Sequence, residues 1–198
     1  MCDRLILLPA QEACWQGVFM ENVDAALEGR EQKGLFKLED PLAPCDQLDE
    51  KYQYQCFINQ SGWLMKFYQR DVSKAAQACL NAPVASVTPC SQAIGLLAAS
   101  APWQPLLLQR DERKTFLQDA WTICQKFPET SVGQCVVAAL DNLMNSDTVD
   151  IQQARAFCDI VSEKYRTVCL DRIDGDLRYL ANQTTPDQDR RAKSLRSR

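Results

Sequence analysis

The residues with the most chemistry to offer are ten cysteines: Cys2, Cys14, Cys45, Cys56, Cys79, Cys90, Cys124, Cys135, Cys158 and Cys169. Thiols at defined spacing can hold a metal, exchange electrons or cross-link the chain. Zinc sites use cysteine pairs separated by about two to four residues, often completed by histidine. The chain has no C-x-x-C pair and 0 histidines. The missing C-x-x-C also removes the usual redox motif. Cross-linking remains. Taken in order, the cysteines form five close pairs, four reading C-x10-C and the first C-x11-C. The count alone does not fix connectivity, but the even spacing makes neighbour pairing the economical choice. Each staple closes a loop of about a dozen residues, worth roughly 3 kcal/mol in the loop-entropy view. Such bonds persist in an oxidising compartment, so a periplasmic or secreted location is expected. The apolar stretch Leu5–Leu8 is too short for the core of a secretory signal, so that signal is expected to be absent from this chain.

The staples constrain the elements that carry them. In an unbroken helix, residues eleven apart lie about 16 Å apart along the axis. A disulfide needs Cα atoms within about 7 Å. Each pair therefore demands a chain reversal between its members. Pro9 lies between Cys2 and Cys14. Asn81-Ala82-Pro83 and Thr88-Pro89 lie between Cys79 and Cys90, and Pro128 and Gly133 between Cys124 and Cys135. The gaps Cys45–Cys56 and Cys158–Cys169 have neither proline nor glycine and give the weaker signals.

An internal repeat organises the whole. A shift of 79 residues carries Cys45, Cys56, Cys79 and Cys90 onto Cys124, Cys135, Cys158 and Cys169. Gln55-Cys56 then matches Gln134-Cys135, Leu64-Met65 matches Leu143-Met144, and Asp71-Val72 matches Asp150-Ile151. Cys14-Trp15-Gln16 stands in the place of Cys90-Ser91-Gln92. The chain thus holds a partial copy at about 1–44 and copies at about 45–123 and 124–185, and it begins mid-repeat, as if preceding sequence were missing. Residues 186–198 read as a flexible basic tail containing Arg190, Arg191, Lys193, Arg196 and Arg198. Helices are expected over Gln11–Glu28, Gln53–Tyr68, Val72–Leu80, Ser91–Ala99, Asp111–Gln125, Val132–Met144, Ile151–Val161 and Lys164–Leu180. Ile151, Ala154, Phe157, Cys158 and Val161 show the spacing of a buried helical stripe. Asp71 and Asp150 are expected N-caps. No alternating strand segment competes. The expected fold is all-α: helix-hairpin repeats forming an α/α solenoid, with one disulfide per hairpin.

Two resemblances follow. The 34-residue separation of successive pairs within a copy, Cys45 to Cys79 and Cys124 to Cys158, resembles disulfide-stapled tetratricopeptide-like solenoids. The tetratricopeptide residue pattern itself is not evident, so no groove residues carry over. More locally, Cys14-Trp15-Gln16-Gly17-Val18-Phe19-Met20-Glu21-Asn22 resembles the C-x-x-G-x-F-M-E-N signature of cysteine-rich bacterial exported helical-repeat proteins without a settled activity. Those proteins carry an upstream histidine motif of the H-G-x-G-H kind, which this chain lacks. The resemblance implies a fragment or a diverged member.

Candidate binding residues are few. Glu21 and Asn22 read either as a ligand contact or as a surface acid and amide beside the core residues Phe19 and Met20. Trp15, Trp63, Trp103 and Trp121 read either as anchors in a groove or as core. Trp63-Leu64-Met65 is expected in the core, and Trp103, between Pro102 and Pro105, at the surface. Asp171, Asp174 and Asp176 lack the glycine and closing glutamate of a calcium loop, so a charged helix face with Arg172 and Arg178 is expected. Asn59-Gln60-Ser61 and Asn182-Gln183-Thr184 are glycosylation sequons, which matter only in a eukaryotic secretory host.

Function is bounded from outside. A net charge of −4 argues against nucleic-acid partners. No apolar run is long enough for a membrane span. Without histidine the commonest general base is missing, and no catalytic residue, metal site or cofactor is assigned. The leading expectation is a non-enzymatic protein- or peptide-binding scaffold. Its alternatives are a fragment of an enzyme or metal-binding protein whose histidine-bearing N-terminal part is missing, and a structural cell-surface protein. The basic tail, read functionally, would meet an anionic surface weakly.

Overall fold

A computed structural model describes residues 2–30, 35–37, 39–99, 110–145 and 151–182. Trp103, Asp150 and the basic tail lie outside these residues, as do Gln183 and Thr184 of the second sequon. Among the described residues the chain is all-helical: α1 (Leu8–Leu27), α2 (Glu50–Asn59), α3 (Ser61–Phe67), α4 (Val72–Cys79), α5 (Val87–Ala98), α6 (Arg110–Cys124), α7 (Glu129–Asn145), α8 (Ile151–Ile160) and α9 (Glu163–Asn182). Three single 3-10 turns cover Cys2–Arg4, Cys45–Gln47 and Val84–Ser86. The only extended pairing among the described residues is an isolated bridge between Lys37 and Asp40.

All five disulfides join neighbouring cysteines, with Cα–Cα distances of 5.4 to 5.6 Å. The second cysteine of each pair sits in α1, α2, α5, α7 or α9. Those helices form one row, with α2 against α1, α5 against α2, α7 against α5 and α9 against α7. The helices α4, α6 and α8 form a second row, touching in that order and packing on the first. Eight of the ten cysteines lie in one buried cluster with Phe57, Leu64, Ile94, Leu140, Phe157 and Ile173. Burying each such large side chain contributes about 1.5–3 kcal/mol. The staples are therefore core residues as well as cross-links.

The 79-residue correspondence is visible in the elements. Glu50 and Glu129 open α2 and α7, and Val72 and Ile151 open α4 and α8. One difference corrects the sequence reading. Gln53–Tyr68 was expected as one helix; the structure breaks it at Gln60, while its counterpart α7 runs through unbroken. The cause lies in the segment before Cys45. There the chain makes turns over residues 41–44, with a cis Ala43–Pro44 bond, where the second copy has α6. Turn carbonyls need donors from elsewhere. The buried Gln60 carboxamide supplies them, donating to Pro41 O at 3.1 Å and Ala43 O at 3.0 Å. Its counterpart Ala139 is buried too, with α6 meeting its own backbone needs internally.

Two prolines read as breakers are helix starts instead. Pro9 and Pro89 lie in the first turns of α1 and α5, which begin at Leu8 and Val87 rather than at Gln11 and Ser91. A first-turn residue has no intrahelical partner for its N–H, so proline costs nothing there. Asp71 caps α4 as expected, its carboxylate accepting from Lys74 N at 3.0 Å. α1 closes on Gly29, at φ +73°, with Arg30 N donating to Ala25 O. α3 closes with the same backbone pattern, Arg70 N donating to Met65 O, but with Gln69 and Arg70 held at φ +50° and +70°.

Candidate functional site

Trp15 is half-buried in the α1–α2 contact, its ring 4.7 Å from Tyr52 and 5.8 Å from Phe19. Its indole N–H donates to Asp3 Oδ1 at 3.2 Å, and Tyr52 donates to Asp3 Oδ2 at 2.6 Å. The Tyr52 hydrogen bond leads in holding the Asp3 carboxyl below the usual aspartate range, with Trp15 and Lys51 acting the same way. Phe19 is core, but Met20 is not: it is 55% exposed. Trp15 and Phe19 pack on the main core and Val23 on the cluster with Trp63, and residue 20 falls outside that stripe. Glu21 is exposed within 3.7 Å of Arg30, and Asn22 is half-buried. Trp63 and Trp121 are both buried. The sequence-derived candidates are therefore dispersed rather than brought together.

The acids of α9 form the charged face expected of them. Arg172 donates to Asp141 at 2.8 Å and lies 3.4 Å from Asp176, while Arg155 pairs with Asp174. Burial pushes the Asp141 carboxyl upward, and Arg172 opposes that shift. Asn59 of the first sequon donates to Gln55 O at 2.7 Å, beside the fully buried Gln60. Among the described residues no group of three His, Cys, Asp or Glu side chains is placed to hold a metal. No helix among them is long and apolar enough to cross a membrane.

A concavity lies elsewhere, between the C-terminal end of α3, the start of α4, the end of α5 and the outer part of α6. Its volume is about 1180 Å³. Met65, Val72, Leu97, Phe116 and Ile123 give it an apolar floor, and Leu27 closes it from the end of α1. Lys66, Arg70, Lys126 and Asp119 stand around the rim. The Lys66 ammonium donates to Ala26 O at 2.7 Å, neutralising the carbonyl end of α1. Lys126 donates to Ser73 Oγ at 2.5 Å and so ties α6 to α4. The sequence assigned none of these residues to a site and placed Met65 in the core. Only the stacking of four helices gathers them. The sole local signal was the α3 terminus, Tyr68-Gln69-Arg70-Asp71, which ends a helix without glycine.

No family model, curated protein or solved structure matches the chain. The molecule is an all-α protein of stapled helix hairpins, with an open groove that combines an apolar floor and a mostly cationic rim. Such a lining suits binding.

Proposed function

We propose that the chain is a non-enzymatic protein- or peptide-binding protein of the periplasm or the cell exterior. Five disulfides, four of them wholly buried, support the oxidising location. Two contacting rows of hairpins support a solenoid-like scaffold. The groove carries the reading. Its α4, α5 and α6 walls belong to hairpins that are already cross-linked, α4 to α5 through Cys79–Cys90 and α6 to α7 through Cys124–Cys135. A receptor fixed in advance loses little entropy on binding, so modest contact area yields useful affinity.

Selection of peptides from a displayed library, followed by calorimetry, tests this. Selected peptides should bind the chain and lose about tenfold or more in affinity when Ile123→Asp places a charge on the floor. Binding that ignores Ile123→Asp, in a variant whose circular dichroism is unchanged, would remove the groove from the reading.

A further inference from the structure

The groove departs from the electrostatics of the rest of the chain. The protein carries a net charge of −4 and a sequence pI near 5.0. Around the groove, however, stand three cations, Lys66, Arg70 and Lys126, against one acid, Asp119. Lys66 and Lys126 meet only uncharged acceptors: carbonyls at the end of α1, and the Ser73 hydroxyl. Among the described residues neither ammonium is paired with a carboxylate. Among the described residues their charge is positioned by neutral acceptors and meets no carboxylate.

Backbone strain is concentrated at the same rim. α1 makes its closing turn with Gly29, which adopts a positive φ freely. α3 makes the same turn with Gln69 and then Arg70, both side-chain-bearing residues in the left-handed region. Each costs about 1 kcal/mol or more relative to glycine. The result is that Arg70 stands at the lip of the groove, two residues before α4 begins.

We propose that this groove takes an acidic amphipathic helix presented by a partner protein. The inference rests on the binding role proposed above and names the partner's chemistry. The floor is made of side chains from helices, and among the described residues no open strand edge borders it, so an extended peptide would find no backbone ladder there. A helix with apolar residues at i, i+3, i+4 and i+7 lays one stripe on Met65, Val72, Leu97, Phe116 and Ile123. Glutamates or aspartates flanking that stripe then reach Lys66 and Lys126. Opposite charge at the rim sets which helices are accepted and speeds encounter, while the apolar floor holds them.

The test uses the oxidised full chain and three fluorescein-labelled peptides of about 15 residues, each with a leucine stripe at helical spacing and with Glu, Gln or Lys on the flanks. Fluorescence anisotropy should rank them Glu, then Gln, then Lys, with about tenfold between the extremes. Affinity for the Glu peptide should fall as NaCl rises from about 50 to 500 mM, because exposed charges are screened over that range. Lys126→Glu lies on the surface and should fold normally by circular dichroism; it leaves two cations against two acids at the rim and should bring the three peptides to nearly equal affinity. Equal binding of all three peptides, unaffected by salt, would overturn the acidic-helix inference and leave the binding role standing. Failure of every peptide to bind a folded chain would overturn both. Sedimentation velocity of the chain alone gives the remaining outcome: self-association abolished by Lys126→Glu would put a second copy in the groove and refute the proposal.

Discussion

Two contacts in the row of α1, α2, α5, α7 and α9, the α1–α2 and α5–α7 contacts, occupy equivalent positions in the repeat and solve the same problem oppositely. In the α5–α7 contact the facing residues are small. Ser91 donates to Ser131 O at 3.2 Å, and a methyl group added at Gly95 would lie 2.2 Å from Cys135 O and 3.0 Å from the Ala138 Cβ. The two backbones meet as closely as glycine permits. In the α1–α2 contact, Trp15 and Phe19 take the places of Ser91 and Gly95, and Tyr52 takes the place of Ser131. Here the helices are separated by stacked aromatic rings. Two glutamines report the difference in spacing. Gln92 donates to Gln134 Oε1 at 3.0 Å across α5–α7, while at the equivalent positions Gln16 and Gln55 make no such bond and Gln55 Oε1 is left without a protein partner. One staple spacing thus tolerates two interhelical gaps, because each disulfide fixes a hairpin and leaves the distance between hairpins to the side chains.

Substitutions can break each contact in its own way. The largest effect is expected from Phe19→Ala, which removes a buried ring from the wide contact and should cost about 3 kcal/mol or more in chemical denaturation. Gly95→Ala adds one carbon to the tight contact and should cost about 1–3 kcal/mol, since the obstacle is a backbone carbonyl that cannot rotate away. A neutral Gly95→Ala would show that α5 and α7 do not meet backbone to side chain at this position. Gln60→Leu should cost about 1–2 kcal/mol by orphaning the Pro41 and Ala43 carbonyls, whereas Ala139→Gly at the matching site loses only a methyl group and helix propensity. The smallest effect is a change in pH profile. Asp3 is held below its ordinary value of 3.8, chiefly by the Tyr52 hydroxyl. In the window between that value and the lower folded one, the unfolded chain binds the proton first, so stability falls as pH falls. Above pH 3.8 the contribution is complete. Asp3→Asn should therefore melt lower than the parent at neutral pH, with the gap closing as the pH drops through and below that window.

Much of this architecture is legible in the sequence. Equal cysteine spacing identifies neighbouring pairs, and the 79-residue echo locates helix starts such as Val72 and Ile151. Asp71 announces its own cap. What escapes the sequence is whatever depends on a distant partner. Gln60 looks like one more residue of a continuous helix, and nothing local says that carbonyls at 41 and 43 will claim it. Pro9 and Pro89 carry a local signal with two meanings, stop or start, and only the packing of α1 and α5 chooses. Met20 sits within an apolar stretch, yet residues 15, 19 and 23 already define the buried stripe, so helical phase leaves it outside. The groove is the least legible part. Its floor comes from residues 65 to 123, and each alone reads as an ordinary helix-surface position.

No disulfide in the molecule reaches past the next cysteine, and this matters for the order in which the chain can be completed. Each bond joins residues 11 or 12 apart. As the polypeptide emerges from its N-terminal end, every thiol meets its correct mate within about a dozen residues, before any later cysteine is available to compete. Closure of a loop that short is a submicrosecond search, far faster than oxidation itself. An oxidant working along the emerging chain can therefore finish each hairpin in turn, with little need for later reshuffling by an isomerase.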